Sequence, residues 1–338
     1  MSGRTVMRAI RVANYGGPEV LKVDPKVPVP VPTDTQVLVE VKAAGVNPVD
    51  TYIRSGSFGT TGPLPYTPGA DVAGIVSKIG AKVTKFKPGD NVYVIRNVSG
   101  GYAECTVAEE NMVGKLPSHL SFSQGAGLGI PCYSAARAYI KAKGKVMQGN
   151  TVLVHGASGA VGLACVQIGK AKGLTVLGTA GTKEGLDLVL KHGAANAFNH
   201  KEQGYIDKVL EATNGAGPDI IIEMLANVNL DTDMKIVNKG GIIVVVGSRG
   251  NVEIAPRLLM FKESIVTGFS LGNAPPEEWV EMHQVISEGL TQGWLVPSVQ
   301  KEYKLEEASL AHEEIINNSG TTGNRILIMP FGERVQCI

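Results

Sequence analysis

The sequence has 338 residues, which is long enough for about two domains that each bury a hydrophobic core. Lys and Arg total 32 and Asp and Glu total 31, so the formal net charge of +1 excludes a strong overall attraction to nucleic acid or anionic membranes. No apolar run is long enough to span a bilayer, and the first residues lack the apolar stretch of a secretory signal. A globular, cytoplasmic protein is expected.

The first third of the chain carries short β-type runs that are separated by Pro and Gly. The runs begin at Gln36 (QVLVEVKAAGV), Ala70 (ADVAGIVSKIG) and Asp90 (DNVYVI). This spacing is typical of a compact, mostly antiparallel β unit. A last apolar run, NRILIMP from Asn324, is expected to pair with this unit.

From about Thr151, apolar strands alternate with helical stretches, which indicates βαβ units in a parallel sheet. Six strand candidates fit a doubly wound sheet, namely TVLVH, LTVLG, ANAFN, DIIIEM, GIIVVVG and SIVTGFS. After about Asn273 the pattern returns to amphipathic helix and the final strand. The sequence therefore predicts an α/β fold in which a Rossmann domain, residues 130–272, is inserted into a discontinuous β domain, residues 1–129 and 273–338.

The strongest local motif is a glycine-rich turn between a strand and a helix, TVLVHGASGAVGLACVQIGKAKG from Thr151. Gly156, Gly159 and Gly162 have the three-residue spacing of a dinucleotide-binding loop, in which glycine permits a tight turn and a close approach to pyrophosphate. The helix after Ser158 would present free N–H groups to the phosphates. Glycine-rich turns can serve packing alone, but the strand before this turn and the helix after it favour a nucleotide site.

The second strand of the parallel sheet indicates which nucleotide is bound. Sites specific for NAD place Asp or Glu at its end, about 20 residues beyond the loop. Here the stretch reads LTVLGTAGTKEG, so Thr179, Ala180 and Gly181 occupy the critical turn. No carboxylate would repel a 2′-phosphate there, and Lys183 is close enough in sequence to attract one. NADPH is therefore the predicted cofactor, although Lys183 is also compatible with a solvated lysine at a helix start.

Five blocks of sequence carry a resemblance to a known family. The blocks are VNPVDTYIRSG at Val46, LPYTPGADVAGIV at Leu64, LVHGASGAVG at Leu153, IIIEMLANVNL at Ile220 and VVVGSRG at Val244. They resemble the zeta-crystallin type of NADPH:quinone oxidoreductase in the medium-chain dehydrogenase/reductase superfamily, and the resemblance runs from Met7 to Met329. It implies a GroES-like catalytic domain beside the Rossmann domain, with the active site in the cleft between the two.

The resemblance also implies which residues contact the cofactor. Tyr52 would lie beside the nicotinamide, Gly181 and His200 toward the adenosine phosphate, and Asn229 at the ribose. Ser134, in place of a threonine that is usual in the family, is counted with these contacts. The other implied contacts are Ser158, Gly159, Ala160 and Val161 at the pyrophosphate, and Val246, Gly247, Ser248, Arg249, Phe269, Ser270 and Leu271 around the nicotinamide half.

The chain departs from the usual family pattern at several positions. Besides Ser134, these are Ala160 in place of Gly, Phe58 in place of Tyr, and Asn324 in place of the Lys of a C-terminal Gly-Lys pair. A methyl group at residue 160 is tolerable only if the backbone there is helical. These changes bear on substrate preference more than on cofactor binding.

A metal is not expected. Zinc-dependent members of the superfamily have Cys at the position of Asn47 and a His-Glu pair at Ala70 and Asp71, whereas catalytic zinc needs three N, S or O ligands plus an open site. The structural zinc lobe would need four closely spaced cysteines after about Asp90, where only Cys105 is present. The four cysteines of the chain are scattered singly and are predicted to be free thiols.

Without a metal to polarise a carbonyl group, the expected substrate is a good electron acceptor such as a quinone or a conjugated enone. Tyr52 and Asn47 are the candidate catalytic residues, because phenol and amide donors can stabilise a developing oxyanion. Asn47 precedes Pro48 and fits a turn-holding role nearly as well. The resemblance implies that the quinone is reduced in one-electron steps to the semiquinone.

Two other functions stay open at this point. One is an NADPH-dependent reductase of 2-alkenals or enoyl thioesters, which would use the same cleft but deliver hydride to a β-carbon. The other is a structural or RNA-binding protein, since relatives serve as lens crystallins and some bind AU-rich RNA, although the net charge does not support it. The family also implies a homo-oligomer, dimer or tetramer, that pairs through the strand SIVTGFSLG.

Overall fold

The computed structural model describes residues 5–57, 59, 63–317 and 322–329. The chain forms two compact units. The first unit contains the chain up to Ile130 and a second stretch that begins at Pro297. The second unit extends from Pro131 to Val296.

The strands and helices alternate as the sequence predicts. In chain order the strands are β1 (Val6–Arg11), β2 (Lys22–Pro28), β3 (Gln36–Val46), β4 (Val72–Ile79), β5 (Asn91–Val94), β6 (Cys105–Glu109), β7 (Val113–Lys115), β8 (Thr151–Val154), β9 (Thr175–Ala180), β10 (Asn196–Asn199), β11 (Ile220–Glu223), β12 (Ile242–Val245), β13 (Ile265–Gly268), β14 (Val299–Lys304) and β15 (Asn324–Ile328). The helices are α1 (Pro48–Ser55), α2 (Phe122–Ala126), α3 (Gly129–Lys141), α4 (Ala160–Ala171), α5 (Lys183–Lys191), α6 (Tyr205–Ala212), α7 (Ala226–Ile236), α8 (Arg257–Lys262), α9 (Pro276–Gln292) and α10 (Ala308–Asn317). Among the described residues, no helix combines the length and apolarity needed to cross a membrane.

The first unit contains a mostly antiparallel sheet with the order β14-β15-β3-β4-β5-β7, and β6 also pairs with β3. β3 is buried on both faces, because Val37 and Val39 face one apolar cluster and Leu38 faces another. Its nearly continuous apolar sequence fits this position. β15 pairs antiparallel with β3, so the predicted pairing of the final apolar run with the β unit is confirmed.

The second unit contains a six-stranded sheet with the order β10-β9-β8-β11-β12-β13, in which all pairs are parallel. The six predicted Rossmann strands are confirmed. Ile220, Ile221 and Ile222 of the central strand β11 are fully buried, as expected of a strand covered by helices on both faces. The strand order reverses between β8 and β11, which is the place where open parallel sheets bind their ligands.

Helix α9 belongs to the second unit, so this unit extends beyond the boundary predicted at residue 273. Arg137 on α3 forms an ion pair of 2.6 Å with Glu278 on α9. The hydroxyl of Tyr133 on α3 lies 2.6 Å from Nδ1 of His283 on α9. These polar contacts join α9 to α3. The periodicity of a sequence does not predict which two helices pack against each other, so the sequence could not place this boundary.

The cysteines differ from one another in their bonding. Cys132 and Cys165 are free and buried, as predicted. Cys105 is disulfide-bonded, so the prediction of a free thiol is wrong at this position. Spacing along the chain does not report which sulfur atoms meet in the fold.

Candidate functional site

The predicted nucleotide contacts of the second unit follow its parallel strands at their carboxyl ends. Residues 156–161 follow β8, Gly181 follows β9, His200 follows β10, Asn229 lies on α7 after β11, residues 246–249 follow β12 and residues 269–271 follow β13. Because the strands are parallel, these positions lie along one edge of the sheet. This is the edge at which doubly wound sheets bind nucleotides.

The glycine-rich loop turns sharply between β8 and α4. Gly156 has a φ of 58°, a backbone conformation that residues with a side chain rarely adopt. A Cβ on Gly162 would lie 2.4 Å from the carbonyl oxygen of Gly156, so only glycine lets the helix pack this closely. Gly159 is the residue before α4 and has no side chain to cap the helix. The first N–H groups of α4 are therefore free to bind an anion. Ala160 begins α4, so its backbone is helical, as its methyl group requires.

The turn after β9 is free of acidic side chains and is crowded by two basic ones. A Cβ on Gly181 would lie 2.8 Å from Nε2 of His200 and 3.0 Å from Cε of Lys201. Burial and neighbouring positive groups lower the pKa of His200. Lys183 is exposed, and its Nζ donates a 2.8 Å hydrogen bond to Asp187 one turn along α5. The sequence patterns single out Lys183 but miss Lys201, for which the available signal is its place two residues after the end of β10.

A buried triad of His155, Glu223 and Asp233 lies where the glycine-rich loop begins. Nε2 of His155 is 2.9 Å from Oδ1 of Asp233 and 3.8 Å from Oε2 of Glu223. Burial opposes a charged imidazole, but the two carboxyl groups outweigh it and raise the pKa of His155. Burial also raises the pKa of Glu223 to about 7. The triad was not predicted, although an acidic residue that ends an otherwise apolar strand is a signal for it.

The three side chains of the buried triad are of types that ligate metals, and their ligand atoms lie within 4.8 Å of one another. Two ligands of a tetrahedral zinc, each about 2.0–2.1 Å from the ion, are roughly 3.3 Å apart. The His155 and Asp233 atoms are closer than this and have the spacing of a hydrogen bond. The geometry therefore fits a proton between these atoms better than a metal ion.

Arg137 on α3 holds the segment after β13. Its Nη1 donates a 2.6 Å hydrogen bond to the carbonyl oxygen of Ser270, and its guanidinium lies 5.2 Å from the centre of the Phe269 ring. The ion pair with Glu278 completes the surroundings of this buried side chain. Ser134, one turn earlier on α3, is also buried. Arg137 is a positioning residue that was missed, because its partners lie more than a hundred residues away in sequence.

In the first unit, two of the three residues at the positions of superfamily zinc ligands bond to each other. Nδ2 of Asn47 donates a 2.9 Å hydrogen bond to Oδ2 of Asp71, which also accepts the N–H of Ile130 at 2.7 Å. Burial raises the pKa of Asp71 to about 8. Asn47 therefore presents an amide donor where a zinc site needs an electron-pair donor. Tyr52, on the following helix α1, is half-buried.

The C-terminal departure from the family pattern has a local structural role. Asn324 begins β15 and is buried, and its Nδ2 donates a 3.1 Å hydrogen bond to the carbonyl oxygen of Ser298. The same amide packs so closely on Gly127 that a Cβ there would lie 2.8 Å from Nδ2. Phe58, the other departure near the predicted cleft, lies outside the described residues.

Two family models match the chain. The alcohol dehydrogenase GroES-like domain matches residues 33–144, and the zinc-binding dehydrogenase model matches residues 160–288. Both are consistent with the predicted pairing of a GroES-like and a Rossmann domain. The name of the zinc-binding dehydrogenase model includes the metal, whereas this chain has Asn47 and Ala70 at positions where zinc-dependent members have ligands.

Individual relatives are similar over almost the whole length. A quinone oxidoreductase of Mus musculus is 51% identical over 330 residues, which cover 97% of this chain and 99% of the relative. A quinone oxidoreductase of Homo sapiens is 50% identical over 328 residues, with the same coverage of 97% and 99%. The crystal structure of the Escherichia coli quinone oxidoreductase complexed with NADPH superposes with a TM-score of 0.83 at 29% identity, covering 95% of this chain and 99% of that one. This chain therefore belongs to the quinone oxidoreductase family of zeta-crystallin type, enzymes of the medium-chain dehydrogenase/reductase superfamily.

Proposed function

We propose that this protein catalyses the NADPH-dependent reduction of quinones. One observation carries the proposal. Two features lie together at the carboxyl ends of the neighbouring strands β8 and β9: a glycine-rich helix start after β8, and after β9 a turn that has no acidic side chain and is approached by two basic ones. The close quinone oxidoreductase relatives support the same conclusion. When bound, NADPH supplies the reducing equivalents, so the work of the protein is to bind, orient and shield.

In this proposal, each segment that follows a parallel strand at its carboxyl end binds one part of the nucleotide. The N–H groups at the start of α4 bind the pyrophosphate, helped by the helix dipole. His200 and Lys201 meet the 2′-phosphate, whereas Lys183 is the weaker candidate because its amine is bonded to Asp187. The segments after β12 and β13 orient the nicotinamide half, and Arg137 fixes the second of these segments.

Tyr52 is proposed as the group that hydrogen-bonds the acceptor oxygen as it gains charge. Asn47 is the second candidate. An amide nitrogen carries two N–H groups and only one of them is needed by Asp71, so the other can serve an acceptor. The one-electron course of the reduction and RNA binding stay predictions of the resemblance, and a cytoplasmic location stays a prediction from the sequence.

The proposed chemistry does not use a metal. The amide of Asn47 and the methyl group of Ala70 supply no zinc ligand at the superfamily positions. Elemental analysis of the purified protein is expected to find far less than one zinc per chain. One zinc per chain that is retained after dialysis against a chelator would contradict this proposal.

Self-association is proposed as well, through the edge strand β13. This strand is the last in its sheet, and apolar side chains are exposed on it at Ile265 and on the preceding helix α8 at Met260 and Phe261. An unpaired edge strand with an apolar border is a surface that natural proteins usually cover. A homo-oligomer would cover it.

The central experiment follows NADPH oxidation by the purified protein with an ortho-quinone, a para-quinone and a 2-alkenal. Quinone-dependent oxidation is expected, with a higher kcat/KM for NADPH than for NADH. Faster turnover of the 2-alkenal than of either quinone would favour the alternative enal reductase. Calorimetry that detected no binding of NADPH at millimolar concentration would overturn the proposal altogether.

A further inference from the structure

We propose that the buried triad of His155, Glu223 and Asp233 is a positioning unit for the dinucleotide, which ties the glycine-rich loop to the start of α7, the helix that carries Asn229. The inference rests on the nucleotide binding proposed above. It assigns a role in binding to side chains that are buried behind the loop.

On the loop side, the connection runs through Thr179 at the end of β9. Its Oγ1 accepts the N–H of Gly156 at 3.2 Å and lies 3.5 Å from Nδ1 of His155. Thr179 is fully buried, so bulk solvent cannot replace either partner of this hydroxyl. The hydroxyl therefore fixes the peptide at which the loop turns away from β8, and the triad fixes the hydroxyl.

On the opposite side, the connection runs through Glu223 at the end of β11. Its Oε1 accepts the backbone N–H of Leu225 and a 3.2 Å hydrogen bond from Nδ2 of Asn229. Asn229 is the residue expected at the ribose, and it is half-buried on the first turns of α7. Glu223 therefore orients the Asn229 amide and shapes the turn that precedes it.

The centre of the triad is held together by protons. Oε2 of Glu223 and Oδ2 of Asp233 are buried without a hydrogen-bond partner among the described atoms, and both carboxyl groups belong to a cluster whose ligand atoms lie within 4.8 Å of one another. Two such acceptor oxygens can share a hydrogen bond only if one of them carries a proton. A second proton lies between His155 and Asp233. With both protons in place the network is continuous from Gly156 to Asn229, and a fully connected buried network is rigid.

Thr179 offers the cleanest test, because Val has nearly its shape and lacks the hydroxyl. Thr179→Val is expected to raise the Kd for NADPH about ten-fold in calorimetry, the effect of losing roughly one buried hydrogen bond. The kcat for a quinone at saturating NADPH should stay within about two-fold. Thr179→Ser, which keeps the hydroxyl, should restore the Kd to within about three-fold of the parent value.

Thr213→Val is the matched control. The Thr213 hydroxyl also accepts a backbone N–H, from Gly217 at 3.0 Å, but it lies at the opposite, amino-terminal end of β11. Thr213→Val is expected to lower the melting temperature about as much as Thr179→Val does and to leave the Kd for NADPH unchanged. If Thr179→Val and Thr213→Val bound NADPH equally well, the proposal would be overturned.

A second pair of variants tests the ribose side and stands independently if Thr179→Val fails to fold. Glu223→Ala removes the acceptor for Leu225 and Asn229 and should raise the Kd at least ten-fold, whereas Glu223→Gln resembles the protonated acid and should change it little. Equal binding by both variants would contradict the proposal. Assays of the parent protein distinguish the two proposals. If it bound NADPH but reduced no quinone, the proposed function would be rejected, and the positioning role could still be tested by NADPH binding.

Discussion

Nδ2 of Asn47 lies 2.9 Å from Oδ2 of Asp71, and both side chains are almost completely buried. Asp71 also accepts the N–H of Ile130, and burial raises its pKa to about 8. The favoured form of Asp71 in the folded protein at neutral pH is therefore the uncharged acid. The pair thus joins the start of β4 to the start of α1.

This pair predicts how stability depends on pH. The Asp71 carboxyl has a pKa near 3.8 when unfolded and about 8 when folded, so its contribution is complete below pH 4 and is lost as the pH rises toward 8. Asp71→Asn keeps an acceptor for both hydrogen bonds and does not ionise. It should therefore reduce the fall in the free energy of unfolding between pH 5 and 7 by about 1.4 kcal/mol per pH unit. Urea denaturation measures this slope.

The control for this experiment is Asp34, whose side chain is 61% exposed. Asp34→Asn should leave the slope of stability against pH unchanged. If Asp71→Asn also left it unchanged, Asp71 would be ionised in the folded protein. The burial argument would then be wrong for this site.

The sequence predicts the parts of this molecule that depend on local pattern. β3 and the six parallel strands follow from runs of apolar and β-branched residues, and the loop at Gly156 follows from glycine spacing between a strand and a helix. The pairing of β15 with the β unit was predictable because an apolar run after the Rossmann unit had one incomplete sheet to join, whereas its partner β3 and its register were not predicted.

The remaining part of the site depends on contacts between distant residues that leave no local pattern. His155 and Asp233 are 78 positions apart, and Arg137 and Glu278 are 141 apart. A lone His or Arg in a sequence has the same appearance whether it is solvated or paired in the core. Lys183 illustrates the converse, because its sequence position favoured a phosphate contact while its amine bonds to Asp187.

Tyr52 can be tested for its proposed role at the acceptor oxygen. Tyr52→Phe removes only the hydroxyl, and kcat for an ortho-quinone is expected to fall at least ten-fold, since a donor to a developing oxyanion is worth a few kcal/mol. The Kd for NADPH should change less than three-fold. Tyr15→Phe, at a more exposed tyrosine of the same unit, is the control. Unchanged quinone turnover by Tyr52→Phe would remove this residue from the mechanism.

Lys201 and Lys183 are expected to differ in their effect on cofactor choice. Lys201→Ala removes a positive charge beside Gly181 and should raise the KM for NADPH about ten-fold while the KM for NADH stays the same. Lys183→Ala should change either KM less than three-fold, because the exposed amine is already bonded to Asp187. Steady-state kinetics with both nucleotides decides between them. A larger effect of Lys183→Ala would return the 2′-phosphate contact to that residue.

The edge strand β13 predicts how the protein associates with itself. β13 is at the end of the parallel sheet, and Ile265 on this strand is 56% exposed beside the still more exposed Met260 and Phe261 of α8. A lysine on an edge strand is a common means of blocking strand pairing, because its charge would lose water in the interface. Ile265→Lys is therefore expected to lower the molar mass measured by light scattering after size exclusion, most clearly at low protein concentration.

Val280→Lys is the matched control for this experiment. Val280 is 65% exposed on α9, so the substitution places the same charge on an apolar surface residue of a helix instead of the edge strand. Its molar mass should equal that of the parent protein, and both variants should melt close to the parent temperature, because neither removes a buried contact. Two outcomes would contradict the prediction. A parent protein that is monomeric at all concentrations would rule out the interface, and an equal effect of both lysines would show that charge alone, rather than the position on the edge strand, controls association.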